Sequence, residues 1–164
     1  MELVFISIGT NIGNRSQNLD KCIELIGARI AVPKRVSSYY RSESWGFDAE
    51  DFYNAVIEVE VNLEAMELLK CTQGIEASMG RPAKTLLSGY ESRLIDIDIL
   101  THGDKLINEP GLKIPHPKLS ERNFVLMPWS EIAPDLILPD IGKSVIDLLF
   151  DCKDSSICEK VEYV

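Results

Sequence analysis

R-L-I-D-I-D-I-L, residues 93–100, alternates apolar and acidic residues around which the rest of the chain is organised. Side chains alternate across a strand, so Ile95, Ile97 and Ile99 take one face while Asp96 and Asp98 take the other. The isoleucine face requires a core. The two aspartates stand roughly 7 Å apart at Cα, and a hard cation such as Mg²⁺ would relieve their mutual repulsion. An antiparallel strand with one wet face alternates in the same way, and its aspartates could simply be solvated. Asp is depleted in strands, however, and here two share a face. The strand alone leaves both readings open.

The residues that precede this strand are the least regular of the chain. R-P-A-K-T-L-L-S-G-Y-E-S-R, residues 81–93, separates the strand from a helix expected over 62–79, with Asn62 as N-cap, Leu63, Met66, Leu69, Ile75 and Met79 among its apolar positions, and Gly80 as its stop. A loop of that length in a compact domain is usually functional or mobile. Arg81, Lys84 and Arg93 make it a local basic cluster in a chain whose 17 Lys plus Arg stand against 26 Asp plus Glu, a formal net charge of −9. That balance excludes a general nucleic-acid surface, so a polyanionic ligand has to be met by such a cluster.

After the strand, H-G-D at 102–104 is expected to turn the chain, and residues 105–107 and 112–114 to pair as a small hairpin. I-P-H-P-K-L-S-E-R-N-F follows. Pro115 and Pro117 hold His116 in an extended segment, and Lys118 and Arg122 close behind it form a candidate anion clamp, although a lone histidine is more often structural. A helix is expected from Ser120 through Arg122, Phe124 and Leu126 to about residue 132, and a last one over 142–150 ahead of a polar tail expected to pack weakly.

Nearer the start, residues 3–8 read as a strand ending at Gly9. The turn G-T-N-I-G-N follows, then a helix over about 16–28 capped by Asn14 or Ser16, with Leu19, Cys22, Ile23 and Ile26 on its apolar face. The turn lacks the G-K-[ST] ending of a P-loop. Residues 29–41 suit an edge strand or bent hairpin arm interrupted by Pro33. The loop S-E-S-W-G-F-D-A-E-D carries Trp45 and Phe47, which either close over a flat ligand or pack the loop onto the core. Residues 52–61 read as a strand whose second half alternates, and Asn54 near its start offers either a paired donor and acceptor to a heteroaromatic edge or a turn-side cap.

At 164 residues and 45% hydrophobic content the chain fits one domain, 1–164. It carries no apolar run long enough to span a membrane and no signal-peptide pattern at its N-terminus, so a cytoplasmic protein is expected. Its four cysteines show no C-x-x-C spacing. The order strand-helix-strand-strand-helix-strand predicts an α+β fold, a ferredoxin-like antiparallel sheet (split βαβ) with helices on one face and an additional C-terminal hairpin and helices. Two carboxylates on a strand, a basic loop before it and His116, Lys118 and Arg122 after it suit phosphoryl-type transfer with Mg²⁺.

These residues also carry a resemblance. I-G-T-N-I-G, Y-Y-R-S, F-Y-N-A, T-Q-G-I-E, the G-R that ends the second helix, R-L-I-D-I-D-I-L, I-P-H-P and E-R-N-F-V-L-M-P-W-S-E-I-A-P resemble the 6-hydroxymethyl-7,8-dihydropterin pyrophosphokinases of folate biosynthesis over residues 3–140. The resemblance implies transfer of pyrophosphate from ATP to the pterin hydroxymethyl group, leaving AMP. It implies two Mg²⁺ ions on Asp96 and Asp98, with Arg81 and Arg93 joining them as catalytic residues. ATP would be bound by Gln73, Glu76, Lys84, Arg93, Ile99, His116 and Arg122. The pterin would lie between Phe52 and Phe124, with Asn54, Ser42, Glu43 and Trp45 around it. A monomer acting on small molecules, with neither nucleic acid nor membrane as partner, is expected. Three departures touch the loop: Ala83 stands where a second arginine is usual, leaving Lys84 without the bidentate fork; Ser92 replaces a common proline; and Tyr90 lies where a tryptophan is often found, in a loop longer than the compact bacterial form. Rival readings are a binding module that has lost catalysis, and an ordinary kinase or hydrolase producing ADP or phosphate.

Overall fold

The structure is a computed structural model that describes residues 1–44, 50–80 and 94–162. The elements are β1 (Glu2–Thr10), α1 (Arg15–Arg29), β2 (Arg35–Val36), β3 (Tyr40–Ser42), β4 (Phe52–Val61), α2 (Ala65–Ser78), β5 (Asp96–His102), β6 (Ile107–Glu109), β7 (Leu112–Ile114), a 3₁₀ turn Leu119–Glu121, α3 (Asn123–Ile132), α4 (Val145–Asp151) and β8 (Cys158–Lys160). β5, β1, β4, β3 and β8 lie side by side in that order, β2 also pairs with β4, and every pairing is antiparallel. β6 and β7 form the separate hairpin. The order β5-β1-β4-β3 is the split βαβ arrangement the sequence predicts.

Alternation on the central strands explains why the sheet sits between two helix layers. Val4, Ile6 and Ile8 of β1 and Ala55, Ile57, Val59 and Val61 of β4 join Ile95, Ile97 and Ile99 in one core, with Leu19, Cys22 and Ile26 of α1 and Leu68 and Ile75 of α2. Phe5 and Val56 point the other way. They join Leu100, Leu126, Trp129, Ile132, Val145 and Leu148 in a second core beneath α3 and α4. The expectation of helices on one face is corrected accordingly, because strands that are apolar on both faces have to be covered twice. Phe5 and Trp129 meet here at 5.6 Å between ring centroids.

Several element boundaries move, each for a local reason. α2 starts at Ala65 rather than after Asn62; Glu64 precedes it, and its N–H donates to Glu67 Oε2 at 3.0 Å, closing the first turn. The later start leaves the Leu63 carbonyl to accept from the buried His102 Nε2 at 2.9 Å. His102 is therefore the last residue of β5, and the turn begins at Gly103, whose positive φ of 55° favours glycine. In β5 the register with β1 runs Ile6↔Ile99 and then Phe5↔Thr101, so Leu100 is a bulged residue that turns into the second core. The helix expected from Ser120 begins at Asn123, after the 3₁₀ turn, with Arg122 as its N-cap position. The tail does not pack weakly either: it supplies β8 on the edge of β3.

Candidate active site

β5, β1 and β4 place their N-terminal, C-terminal and N-terminal ends together. The register Asn54↔Gly9↔Asp96 sets three residues abreast on neighbouring strands, and Val56↔Ser7↔Asp98 forms the next row. By alternation these residues share the face of Phe5 and Val56. Asp96 and Asp98 are half-buried there while Ile95 and Ile97 are packed beneath, so the opening strand holds both carboxylates on one side of a rigid support.

Gly9 makes the floor between Asn54 and Asp96 flat. A Cβ at this position would stand 2.8 Å from Asn54 Oδ1, closer than real contacts allow. The sequence reading had Gly9 as the end of a strand; that a side chain is excluded here becomes legible only when β4 is laid beside β1. Asn54 is itself buried, and its Nδ2 donates to Ser42 Oγ at 2.7 Å, which leaves Oδ1 turned toward Gly9. Phe52, two residues earlier on the same face, is half-buried. Phe124, also half-buried, stands in the first turn of α3, and the Arg122 guanidinium lies 5.6 Å from its ring centroid.

His116 is fixed by three contacts. Its N–H donates to the Leu100 carbonyl at 2.9 Å, the carbonyl of the bulged residue, and its Nδ1 accepts from the Lys118 N–H at 3.2 Å. Nε2 stands 3.9 Å from Asp98 Oδ2. Burial and the neighbouring Arg122 push its pKa down to about 4, Asp96 working against them and Lys118 with them. The ring is therefore neutral near pH 7, and with Nδ1 accepting, the proton resides on Nε2. It joins Lys118 and Arg122 as an aimed N–H donor rather than as a third cation.

On the same face, Tyr40 donates to Glu131 Oε2 at 2.6 Å, and Ser38 donates to Glu131 Oε1 through its N–H at 3.0 Å and its hydroxyl at 2.8 Å. Burial would raise the Glu131 pKa, but these hydrogen bonds and Lys160 outweigh it and lower the pKa below the ordinary glutamate value. This cluster pins β3 to α3.

The structure thus brings together Asp96, Asp98, His116, Arg122, Phe52, Asn54, Ser42 and Phe124 around one end of the sheet. Glu43 stands next to Ser42, and its Oε1 accepts from the Ile157 N–H at 3.3 Å. Gln73, exposed, and Glu76, buried, belong to α2 on the opposite side of the sheet. The Ile99 side chain also faces that side, so a ligand lying across the β5 edge would meet Ile99 through its backbone. Trp45, Arg81, Lys84 and Arg93 lie outside the described residues. Among the described residues no third carboxylate, histidine or cysteine completes a metal cage with Asp96 and Asp98. Asp96 and Asp98 could hold a Mg²⁺ ion that accompanies a nucleotide, phosphate oxygens and water filling its remaining positions.

The family model for 7,8-dihydro-6-hydroxymethylpterin-pyrophosphokinase matches residues 5–134. The chain belongs to this family. A pyrophosphokinase of that reaction from Porphyromonas gingivalis is 38% identical over 136 residues, covering 82% of this chain and 92% of the relative. One from Synechocystis is 35% identical over 150 residues, covering 90% and 75%. The folic acid synthesis protein fol1 of Pneumocystis carinii is 40% identical over 145 residues, which are 88% of this chain but 19% of that protein. A crystal structure of Plasmodium falciparum HPPK-DHPS superposes with a TM-score of 0.76 at 15% identity, over 92% of this chain and 45% of that one, a likeness of fold. The chain is thus a pyrophosphokinase of folate biosynthesis, transferring pyrophosphate from ATP to hydroxymethyldihydropterin. No helix among the described residues is long and apolar enough to cross a membrane.

Proposed function

We propose that Asp96 and Asp98 hold the magnesium that accompanies ATP, that the floor formed by Asn54, Gly9 and Asp96 receives the pterin ring between Phe52 and Phe124, and that the two substrates meet over β5. The observation that carries this reading is the alignment of Asn54, Gly9 and Asp96 on three adjacent strands, on the face that bears both carboxylates. A side-chain-free floor beside a buried amide suits a flat heterocycle with hydrogen-bonding edges, and aromatic faces suit its rings.

In the reaction, the pterin hydroxymethyl oxygen bonds to the β-phosphorus of ATP as the bond from that phosphorus to the α-β bridging oxygen breaks, and AMP leaves. Two Mg²⁺ ions, when bound, supply charge neutralisation and orientation of the triphosphate. Asn54 and Ser42 orient the pterin edge, and Glu43 and Trp45 contribute to holding it. His116 Nε2–H and the Arg122 guanidinium bind phosphate oxygens, and Arg81, Lys84 and Arg93 bring the further positive charge that the transferring group requires. Gln73, Glu76 and the backbone of Ile99 hold the nucleoside end across the β5 edge. The rate enhancement asked of these residues is chiefly positioning, which holds the two reactants within attack distance and excludes water.

The test is product analysis. With Mg-ATP and the reduced hydroxymethylpterin together, AMP forms; with either omitted, or with the metal chelated, it does not. ADP or inorganic phosphate would mark a different transfer, and ATP binding without AMP would mark a binding module in which Ala83 has cost the activity. The working form is a single cytoplasmic domain acting as a monomer on small molecules, which sedimentation in the presence of both substrates checks.

A further inference from the structure

We propose that the C-terminal segment, residues 152–161, is a positioning element of the pterin site, and that Asp154 is the residue through which it acts. The inference rests on the reading of Phe124 and Ser42 as pterin contacts. The segment lies beyond the matched residues 5–134, yet it touches both walls of that site.

One wall is the first turn of α3. Its N-cap position, Arg122, offers no side-chain cap, and Asp154 supplies one from 31 residues away: its Oδ2 accepts from the Asn123 N–H at 3.1 Å. A carboxylate there satisfies an otherwise unpaired helix N–H and faces the positive end of the helix dipole. Asp154 is held in turn, because its Oδ1 accepts from the Ser156 N–H at 3.0 Å and from the Ser156 hydroxyl at 2.6 Å. Asn123 completes the knot by donating from Nδ2 to the Ser156 carbonyl at 2.6 Å. Asn123 sits between Arg122 and Phe124, so the knot fixes the direction of both.

The other wall is β3. β8 pairs with it in the register Ser42↔Cys158, Arg41↔Glu159 and Tyr40↔Lys160, and the Val161 N–H donates to the Tyr39 carbonyl at 2.7 Å. Arg41 spans Glu159 at 2.8 Å and Asp51 at 3.5 Å, the residue before Phe52. One short segment therefore sets the separation between Phe124 on α3 and the strand ends that carry Ser42, Asn54 and Phe52. A flat ring held between two aromatic faces is sensitive to that separation, whereas Arg122 is one of several groups on the phosphates. The pterin end should feel the loss of Asp154 more than the nucleotide end.

The experiment is steady-state kinetics on the full chain with each substrate varied, for the wild type, Asp154→Ala, Asp154→Asn and Phe124→Ala. Asp154→Ala should raise the pterin KM about fivefold, the scale of a lost helix cap, with the ATP KM changed less than about twofold. Asp154→Asn keeps one carbonyl oxygen for the Asn123 N–H but sets its amide NH2 against the Ser156 N–H, and should recover part of the loss. If both KM values stay at the wild-type level and only the active fraction falls, the segment is merely structural and the proposal is overturned. If Phe124→Ala leaves the pterin KM unchanged, the reading of the site fails instead. Should Asp154→Ala not yield folded protein, Ser156→Ala removes only the hydroxyl's bonds and should show the same split in smaller measure, an unchanged pterin KM overturning the proposal.

Discussion

The two faces of β5 meet different fates along the same seven residues. On one face Ile97 and Ile99, with Ile95 just ahead of the strand, are sealed by α1 and α2 in a continuous core. On the other, Asp96 and Asp98 are left half-open, and only from the bulged Leu100 onward does α3 close over the strand. The difference lies in coverage. The apolar packing of the second helix layer takes in Phe5, Val56 and Leu100, and toward the strand ends it gives way to the polar or side-chain-free row Ser7, Gly9 and Asn54, buried beside the half-open Asp96 and Asp98. The sealed face supplies rigidity and the open face supplies chemistry.

That contrast can be broken in several places, and the effects differ in size and kind. Asp98→Ala should remove metal-nucleotide positioning and lower kcat by about 10³-fold, with the melting temperature little changed; stopped-flow or product assays on folded protein check it. Ile97→Ala, directly next to it but on the sealed face, should cost about 2–5 kcal/mol of stability in denaturant unfolding, with turnover per folded molecule near the wild-type value. Gly9→Ala should push Asn54 out of place and raise the pterin KM by about tenfold while leaving the ATP KM alone. The smallest effect belongs to the Tyr40–Glu131–Ser38 cluster, where α3 meets β3. Its carboxylate pKa is depressed in the folded state, so its stabilising contribution is present above the ordinary value of 4.5 and is lost as pH falls below it. Glu131→Gln should flatten that part of the acid unfolding curve and leave neutral-pH turnover intact.

The sealed face was legible in the sequence, and the open one only in part. V-I-E-V-E-V and I-D-I-D-I display period-two alternation, and α1 displays its apolar spacing, so strands, helix and carboxylate pair were all readable. The two C-terminal helices were legible but not the face they cover, although Phe5 and Val56 mark apolar residues on the far face of their strands, because period-two alternation points to one core face. Gly9 was a strand end until its neighbour across the sheet was known. Asp154 carried no signal at all: a carboxylate that caps a helix across a gap of 31 positions looks in sequence like any other charge in a polar tail. C-E-K, the three residues of β8, is too short and too polar to read as a strand.

The most direct test places both carboxylates at the centre of the chemistry. Purified Asp96→Ala, given saturating Mg²⁺, ATP and reduced hydroxymethylpterin, is assayed for AMP while pterin binding is followed in the same sample. The expected result is pterin binding within a few-fold of the wild type and AMP production lowered by about 10³-fold or more. AMP production near the wild-type rate would contradict the assignment of Asp96 and its neighbour on the strand as the metal-holding residues.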